Sequence, residues 1–351
     1  MGAKISYMDV FNLLQQIDNG ETLDDESIKE LYKFEWLDLH NNSLDFIPES
    51  IGMMTQLGKL NISENSLISL PESIGSLTKL DELYLDENSI ESLPESIGNL
   101  IQLNYLNIVD NSLNTLPECI GNLVQLVELH LCKNKLTTLP KSIGQLSKLK
   151  QLDLSSNSLE NLPECIGELS QLEMLHFCDN NLIELPESIG KLAKLRKLYL
   201  NQNSLKSLPK SINKLSQLEV LYLSNNSLTV LPDSIGKLSN LRQLNLNNNS
   251  LVTLPECIGE SDQLKRLFID NNPFTEELIS SPNLSLLDLT MKVYIKNNAP
   301  VTILPISELE ELKRQYYKCS YCATLTSNKI YVKYITLTKR YTVCKYWCGC
   351  L

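Results

Sequence analysis

Three side chains that could bind a metal ion or take part in acid–base chemistry recur at one fixed interval along the sequence: His130, Asp153 and His176. Cys132 and Cys178 each follow one of these histidines by two residues. Imidazole, carboxylate and thiolate groups are ligands that proteins offer to transition metals. The two histidines are two intervals apart, about 9.6 Å if each interval is one strand, so both rings would have to lean inward to share an ion. We therefore favour a polar binding stripe, with Asp153 hydrogen-bonded to a neighbouring histidine.

The same interval runs through most of the chain and defines an internal repeat with a period of 23, as from Pro48 to Pro71. Ten of the 14 prolines keep this spacing, from Pro48 to Pro255. An asparagine stands six residues before each of them, and we call these residues and one further member the ladder asparagines: Asn42, Asn65, Asn88, Asn111, Asn134, Asn157, Asn180, Asn203, Asn226, Asn249 and Asn272. Glycine stands four residues after each proline except at Asn213. We interpret that position as left-handed backbone, which glycine and asparagine adopt most readily.

Each repeat reads LxxLxLxxNxLxxLPxxIGxLxx, and its residue types predict one coil that contains a short strand. The two leucines of LxL point to one face of the strand, and the residues beside them point to the other. The asparagine amide is expected to bond backbone groups where the chain leaves the strand. Proline ends the strand, and the Ile and Leu that follow fill the interior from the back. One coil cannot bury its own apolar side, whereas eleven stacked coils form a continuous core.

With this spacing and its LPxxIGxL segments, the sequence from about residue 34 to 276 resembles the leucine-rich repeat family, and in particular its Ras-group subclass. The resemblance implies an α/β fold, a right-handed horseshoe-shaped solenoid with a parallel β-sheet on its concave face and a cap at each end. It also implies protein partners, with a small GTPase or one of its effectors as the first to try. The fold serves many partners, so the resemblance alone selects none of them.

Strand residues that point away from the core would form three columns along the concave face, at six, four and two residues before each ladder asparagine. We call them the first, middle and third columns. Eleven strands about 4.8 Å apart give a face on the order of 50 Å long, the size of a protein ligand. Aromatic residues make up only 6% of the chain, yet several stand in these columns, and such residues commonly anchor interfaces. The alternative is that aromatic residues simply favour strands. The predicted partner-binding residues are Tyr84, Tyr105, His130, Asp153, His176, Tyr199, Tyr222 and Phe268.

Charge along the face is predicted to change sign from one end to the other. The early acidic residues are Glu82, Asp86, Glu87 and Asp110, and the late basic residues are Arg196, Lys197, Arg242, Lys265 and Arg266. Such a gradient would orient a partner of complementary polarity.

The whole chain carries 42 acidic and 31 basic residues, a net charge of −11 that opposes binding to nucleic acid. It contains no run of 18 apolar residues, and its first 30 residues lack the apolar stretch of a secretory signal. We therefore expect a cytoplasmic, monomeric protein whose ten cysteines are reduced. The charge is unevenly divided: residues 1–311 hold 23 basic and 42 acidic residues, or −19, and the last 40 residues hold +8.

The ends of the repeat divide the chain into four predicted parts. Residues 1–33 form a helical cap with an apolar face, residues 34–276 form eleven repeats, residues 277–311 form a degenerate repeat with a cap helix, and residues 312–351 form a basic tail. The apolar face of the first part holds Met8, Phe11, Leu13, Leu14 and Ile17.

The tail contains five of the ten cysteines and seven of the 14 tyrosines, and it supports several interpretations. A small zinc site would use Cys319, Cys322, Cys344 and Cys348. Lipidation at Cys348 in the terminal Cys-Gly-Cys-Leu, or myristoylation at Gly2, would bring the chain to a membrane surface. The remaining interpretation is a basic extension that packs on the last coil.

These patterns predict an intracellular scaffold or adaptor that binds a protein on its concave face, with no cofactor and no enzymatic activity. A bacterial effector that acts on host proteins, membrane-anchored through its tail, is the alternative. A third class, a ubiquitin ligase with a catalytic cysteine, is disfavoured because 40 tail residues are too few for a domain with its own core.

Overall fold

The computed structural model describes residues 6–255, 257–258 and 263–274. Two α-helices come first, α1 (Tyr7–Asp18) and α2 (Asp25–Leu31). Eleven three-residue strands follow: β1 (Trp36–Asp38), β2 (Lys59–Asn61), β3 (Glu82–Tyr84), β4 (Tyr105–Asn107), β5 (Glu128–His130), β6 (Gln151–Asp153), β7 (Met174–His176), β8 (Lys197–Tyr199), β9 (Val220–Tyr222), β10 (Gln243–Asn245) and β11 (Arg266–Phe268). The predicted cap at 277–311, the tail at 312–351 and Gly2 lie outside the described residues.

All eleven strands join one parallel sheet in the order in which they occur along the chain. Each pair is offset by one repeat interval, so that Asp153 of β6 lies between His130 of β5 and His176 of β7. The central leucine of β1 through β10 is fully buried, as Leu152 shows, while most of its neighbours in the strand are half-buried. The sheet and its stacked coils confirm the predicted α/β horseshoe.

Short 3-10 helices form the back of the coils and close the core on that side. The nine in the described part are Glu49–Met53, Glu72–Ser76, Glu95–Asn99, Glu118–Asn122, Lys141–Gln145, Glu164–Glu168, Glu187–Lys191, Lys210–Lys214 and Asp233–Lys237. Proline precedes each of them in extended conformation, and the isoleucine of each helix is buried. Proline therefore ends the extended segment and admits the helical turn.

The ladder asparagines join each coil to the one before it. In Asn157, the Oδ1 atom accepts from the backbone N–H of Leu136 at 2.9 Å, and Nδ2 donates to the carbonyls of Leu131 and Leu154 at 3.0 and 3.1 Å. The two bonds to the preceding coil, from the N–H 21 residues earlier and to the carbonyl 26 residues earlier, recur from Asn65 to Asn272. Backbone groups that the turn would leave unpaired are thus satisfied by the next coil, as the sequence predicted.

The glycines that stand four residues after the repeat prolines, here called the lattice glycines, have a different role from the one predicted. None of the eight that are described has a positive φ. A Cβ added at any of them would lie 2.5 to 2.9 Å from the Ser or Cys of the next coil, which is too close for real contacts. The prediction of left-handed backbone at this position, including Asn213, was wrong, because close approach of the coils is what requires glycine.

The left-handed backbone occurs instead one residue before each ladder asparagine. Eleven residues there have φ between 52° and 56°: Asn41, Glu64, Glu87, Asp110, Lys133, Ser156, Asp179, Gln202, Asn225, Asn248 and Asn271. Each such conformation costs about 1–2 kcal/mol in a residue with a Cβ. The turn directs backbone N–H groups at the next coil, as in Ser156, which donates to the Cys178 carbonyl at 2.8 Å.

The amino-terminal helices cover the first coil. Ser6 and Asp9 cap the start of α1 by reciprocal hydrogen bonds. Val10, Phe11 and Leu14 are buried, and the other predicted members of the apolar face pack half-buried against the core: Met8, Leu13 and Ile17.

Candidate partner-binding face

The alternation of each strand presents the first and middle columns on the concave side of the sheet. The end residues of most strands are half-buried there, beside the buried central leucines. Neighbouring strands are in register, so side chains 23 residues apart are neighbours along one column. A middle-column side chain can also contact the first-column side chain of the next strand, which lies 21 residues later in the sequence.

Three predicted residues meet in one group, the first ring cluster. The rings of Tyr84 and Tyr105 lie 4.9 Å apart between centroids, and Tyr105 lies 5.3 Å from the imidazole of His130. Burial raises the pKa of Tyr105 to about 12, so its hydroxyl stays neutral. Glu128 holds His130 in place, with 3.1 Å between Oε2 and Nε2.

Three more predicted residues form the second ring cluster. His176 stacks on Tyr199 with centroids 4.4 Å apart, and Tyr199 meets Tyr222 edge to face at 5.4 Å. The Tyr222 hydroxyl donates to Oε1 of Gln243 at 2.8 Å. Pairs with these geometries contribute about 0.5–1.5 kcal/mol beyond the area they bury. The rings are therefore ordered before any ligand arrives.

Asp153 stands between the two clusters, one strand from each histidine. Its Oδ1 atom accepts from the backbone N–H of Ser155 at 2.9 Å. The expected hydrogen bond to a neighbouring histidine was wrong. His130 bonds Glu128, two residues before it on the same strand face, and His176 leans on Tyr199.

Phe268 is the one predicted aromatic residue that joins neither cluster. It lies on β11 opposite Asn245 and is 38% exposed. At the other end, Trp36 on β1 is 48% exposed and lies against Tyr7 of α1, with centroids 6.0 Å apart. Exposed aromatic rings thus stand at both ends of the face.

Lys59 belongs to the face but was missed by the sequence-based prediction. Its Nζ atom lies 2.6 Å from Oε2 of Glu82 and 4.9 Å from the centre of the Tyr84 ring. The hydrogen bond from Lys59 and another from the Tyr84 hydroxyl lower the pKa of Glu82. The sequence contains enough information to predict this ion pair, because Lys59 and Glu82 are one repeat interval apart in the first column.

The predicted charge gradient is partly neutralised by contacts between coils. Arg196 and Arg242 both contact Glu219, at 2.6 and 3.1 Å. Among the early acidic residues, Glu82 pairs with Lys59 and Asp110 with Lys133. Exposed pairs of this kind are worth little energetically, but they reduce the field that a partner would meet.

The cysteines of the described repeats are half-buried thiols that form no disulfide with one another. Burial raises the pKa of Cys132 and Cys178 beside the middle column, and that of Cys119 on the back to about 11. Such thiols stay protonated and are poor nucleophiles and metal ligands. Within residues 6–274, so far as they are described, no group of three or more His, Cys, Asp or Glu could hold a metal ion. The zinc candidates Cys319, Cys322, Cys344 and Cys348 lie outside the described part, as does the lipidation candidate Gly2.

Two family models match the chain over the coils described above. One, a leucine-rich repeat region, matches residues 4–117 and 117–183, and the other, a leucine-rich repeat, matches residues 170–228 and 216–274. The chain belongs to the leucine-rich repeat family. A comparison with curated proteins gives no significant match. No helix in the described part of this leucine-rich repeat protein is long and apolar enough to cross a membrane.

Solved leucine-rich repeat structures share the fold. The plant peptide hormone receptor RGFR1 in complex with RGF2 is 33% identical with a TM-score of 0.60, over 65% of this chain and 38% of the receptor chain. A Toll–Spatzle complex from Drosophila is 26% identical with a TM-score of 0.63, over 80% and 38%. A TLR13 complex with the RNA ssRNA13 is 26% identical with a TM-score of 0.61, over 76% and 42%. This leucine-rich repeat protein therefore spans less than half the length of these relatives.

Proposed function

We propose that this chain is a protein-recognition module that binds its partner on the concave face. The observation that carries the proposal is the pair of ring clusters, whose six rings are preordered and half-exposed on a sheet with no further layer over it in the described part. Tyrosine and tryptophan are the residues that most often anchor protein interfaces. Rings held by neighbouring side chains lose little conformational entropy when a partner binds.

The electrostatics of the face favour a protein over a nucleic acid. Although one relative binds an RNA, the first five coils here present Glu64, Asp86 and Glu87 with no ion pair among the described residues. Burial raises the pKa of Asp86, and the nearby Glu64 adds to that effect. Uncompensated carboxylates of this kind repel a phosphate backbone. A peptide or protein ligand, as in the RGFR1 and Toll complexes, suits the face better.

We further propose a cytoplasmic scaffold or adaptor role, with a small GTPase or its effector as the first partner class to test. The resemblance of the LPxxIGxL repeats to the Ras-group subclass supports this proposal. The alternative role of a bacterial effector, anchored to a membrane through residues 312–351, would use the same face on host proteins. In both roles the partner would bind to the ring clusters.

The proposal predicts that removing two rings of the second cluster weakens partner capture. In a Tyr199→Ala, Tyr222→Ala variant we expect at least a tenfold loss of captured partner, since interface tyrosines each contribute about 2 kcal/mol or more at hot spots. Capture from lysate with quantitative mass spectrometry would measure it.

A matched control removes two exposed side chains that lie outside the sheet. Ile183 and Val230 are 46% and 54% exposed, so Ile183→Ala with Val230→Ala deletes similar apolar surface elsewhere. Equal capture by the tyrosine variant and this control, both with the melting temperature of the parent, would contradict the proposal.

A further inference from the structure

The carboxylate of Asp153 lies at the centre of the face without a basic partner. No ion pair reaches Asp153 in the described residues, whereas Glu82, Asp110 and Glu219 each have one. The Ser155 N–H occupies only one of its oxygens, so lone pairs remain for a ligand. The side chain is half-buried, and an unpaired carboxylate in such a place gains strongly from a cation.

The neighbouring rings leave a notch over this carboxylate. His130 packs towards Tyr105 and His176 packs towards Tyr199, so both imidazoles associate with rings on the side away from Asp153. Two strand spacings, about 9.6 Å, separate the histidine positions. A flat cation in contact with one ring takes up about 3.5–4 Å beside it, so this gap admits a guanidinium stacked on a single imidazole.

His176, one of the two histidines beside the notch, does not neutralise the charge of Asp153. Burial lowers the pKa of His176, and this effect outweighs the attraction of Asp153 for its protonated form. A neutral imidazole leaves the carboxylate charge available and offers the incoming cation an aromatic face.

We propose that the notch formed by Asp153, His130 and His176 binds a single arginine side chain of the partner, which anchors it between the two ring clusters. The guanidinium donates to the free oxygen of Asp153 and stacks against one imidazole, that of His176. Arginine suits the notch better than lysine, because its plane can stack while its edge donates. This inference rests on the proposed function and adds to it the chemistry of the anchoring residue.

A test can use the full chain and a phage-displayed library of random peptides. We expect wild-type protein to select peptides with one fixed arginine among apolar or aromatic residues. Asp153→Asn should weaken binding of the selected peptides about tenfold or more, because a charge-assisted hydrogen bond is lost. Replacing that arginine by citrulline, which keeps the shape and removes the charge, should have an equal effect.

The asparagine variant is expected to fold, because the chain already uses asparagine in this column. Asn107 and Asn245 each accept from the backbone N–H two residues on at 3.1 Å, the bond that Asp153 makes to Ser155. The matched control is Glu160→Gln, which removes one negative charge from the same coil at an exposed position after the ladder asparagine. It should leave peptide binding unchanged.

The outcomes separate this inference from the proposed function. Selected peptides that lack a basic residue, or that bind Asp153→Asn normally yet lose binding to the Tyr199→Ala, Tyr222→Ala variant, would overturn the arginine notch and leave the proposed function intact. Lysine-based peptides insensitive to Asp153 would also overturn it. If no selected peptide depends on either variant, both proposals fail.

Discussion

In eight of the described coils, a single glycine on the back sets how closely that coil approaches the next. At Gly167, an added Cβ would lie 2.5 Å from the carbonyl oxygen of Ser188, a backbone atom that has little freedom to move. At Gly58, the nearest atom to an added Cβ is the Glu35 carbonyl at 3.5 Å, an ordinary contact distance. Alanine at Gly167 would therefore add a methyl group and a steric clash, whereas alanine at Gly58 would add the methyl group alone.

We predict that Gly167→Ala lowers the melting temperature, at a cost of about 1–3 kcal/mol, because the coils must move apart to admit the methyl group. Gly58→Ala should stay within about 0.5 kcal/mol of the parent. Thermal unfolding followed by circular dichroism compares them. Equal melting temperatures for the two variants would contradict the role given to close packing.

Sequence alone predicted which residues are on the concave face but not which of them touch. The columns follow from the constant interval and the period of two, so all eight predicted partner-binding residues do stand on the sheet. Whether His176 leans to Asp153 or to Tyr199 depends on side-chain rotamers, which spacing does not determine. The glycine error has a similar origin, since a glycine is required both by positive φ and by close packing.

Helix α1 supplies to the first coil the hydrogen bonds that later coils receive from the coil before them. At four of the later 3-10 helices, a glutamate carboxylate of the preceding coil accepts from the backbone at the helix start, as Glu118 does from Ser142 at 3.1 Å. Before the first 3-10 helix, Asp18 at the end of α1 accepts from Glu49 and Ser50 at 2.6 and 2.9 Å. The Ser50 hydroxyl also donates to the Leu14 carbonyl.

We predict that Asp18→Ala loosens the first coil at a cost of about 1–2 kcal/mol, because two N–H groups of the helix lose their acceptor. Glu21→Ala removes an equal charge nearby and serves as the control. Hydrogen exchange measured by mass spectrometry should show faster exchange around residues 47–53 in Asp18→Ala. Protection as in the parent would mean that Asp18 is not the cap of this helix.

The whole molecule depends on carboxylates at many coils, so its stability should change with pH. Hydrogen bonds from Ser142 and Ser211 lower the pKa of Glu118 and Glu187 in the folded chain. A carboxylate with a lowered pKa stabilises the fold above its unfolded pKa of about 4.5, and this contribution disappears as the pH falls through the folded value.

We predict that the melting temperature falls as the pH is lowered from 7 through 4.5 and below. A Glu118→Gln, Glu187→Gln variant should show a shallower fall, because the amides accept the same hydrogen bonds and do not titrate in this range. Melting curves at each pH provide the comparison. Parallel curves for variant and parent would contradict the role given to these two side chains.

Each coil forms side-chain hydrogen bonds both with the coil before it and with the coil after it, and this affects how the chain can fold during synthesis on the ribosome. Each ladder asparagine completes the coil before it, and each capping glutamate prepares the coil after it. Both partners always come from adjacent coils, so a coil can mature as soon as one more has emerged. The helices α1 and α2 leave the ribosome before the coils and present Asp18 to the first coil. The protein can therefore be built in the order in which it is translated, with folding only one repeat behind the growing end.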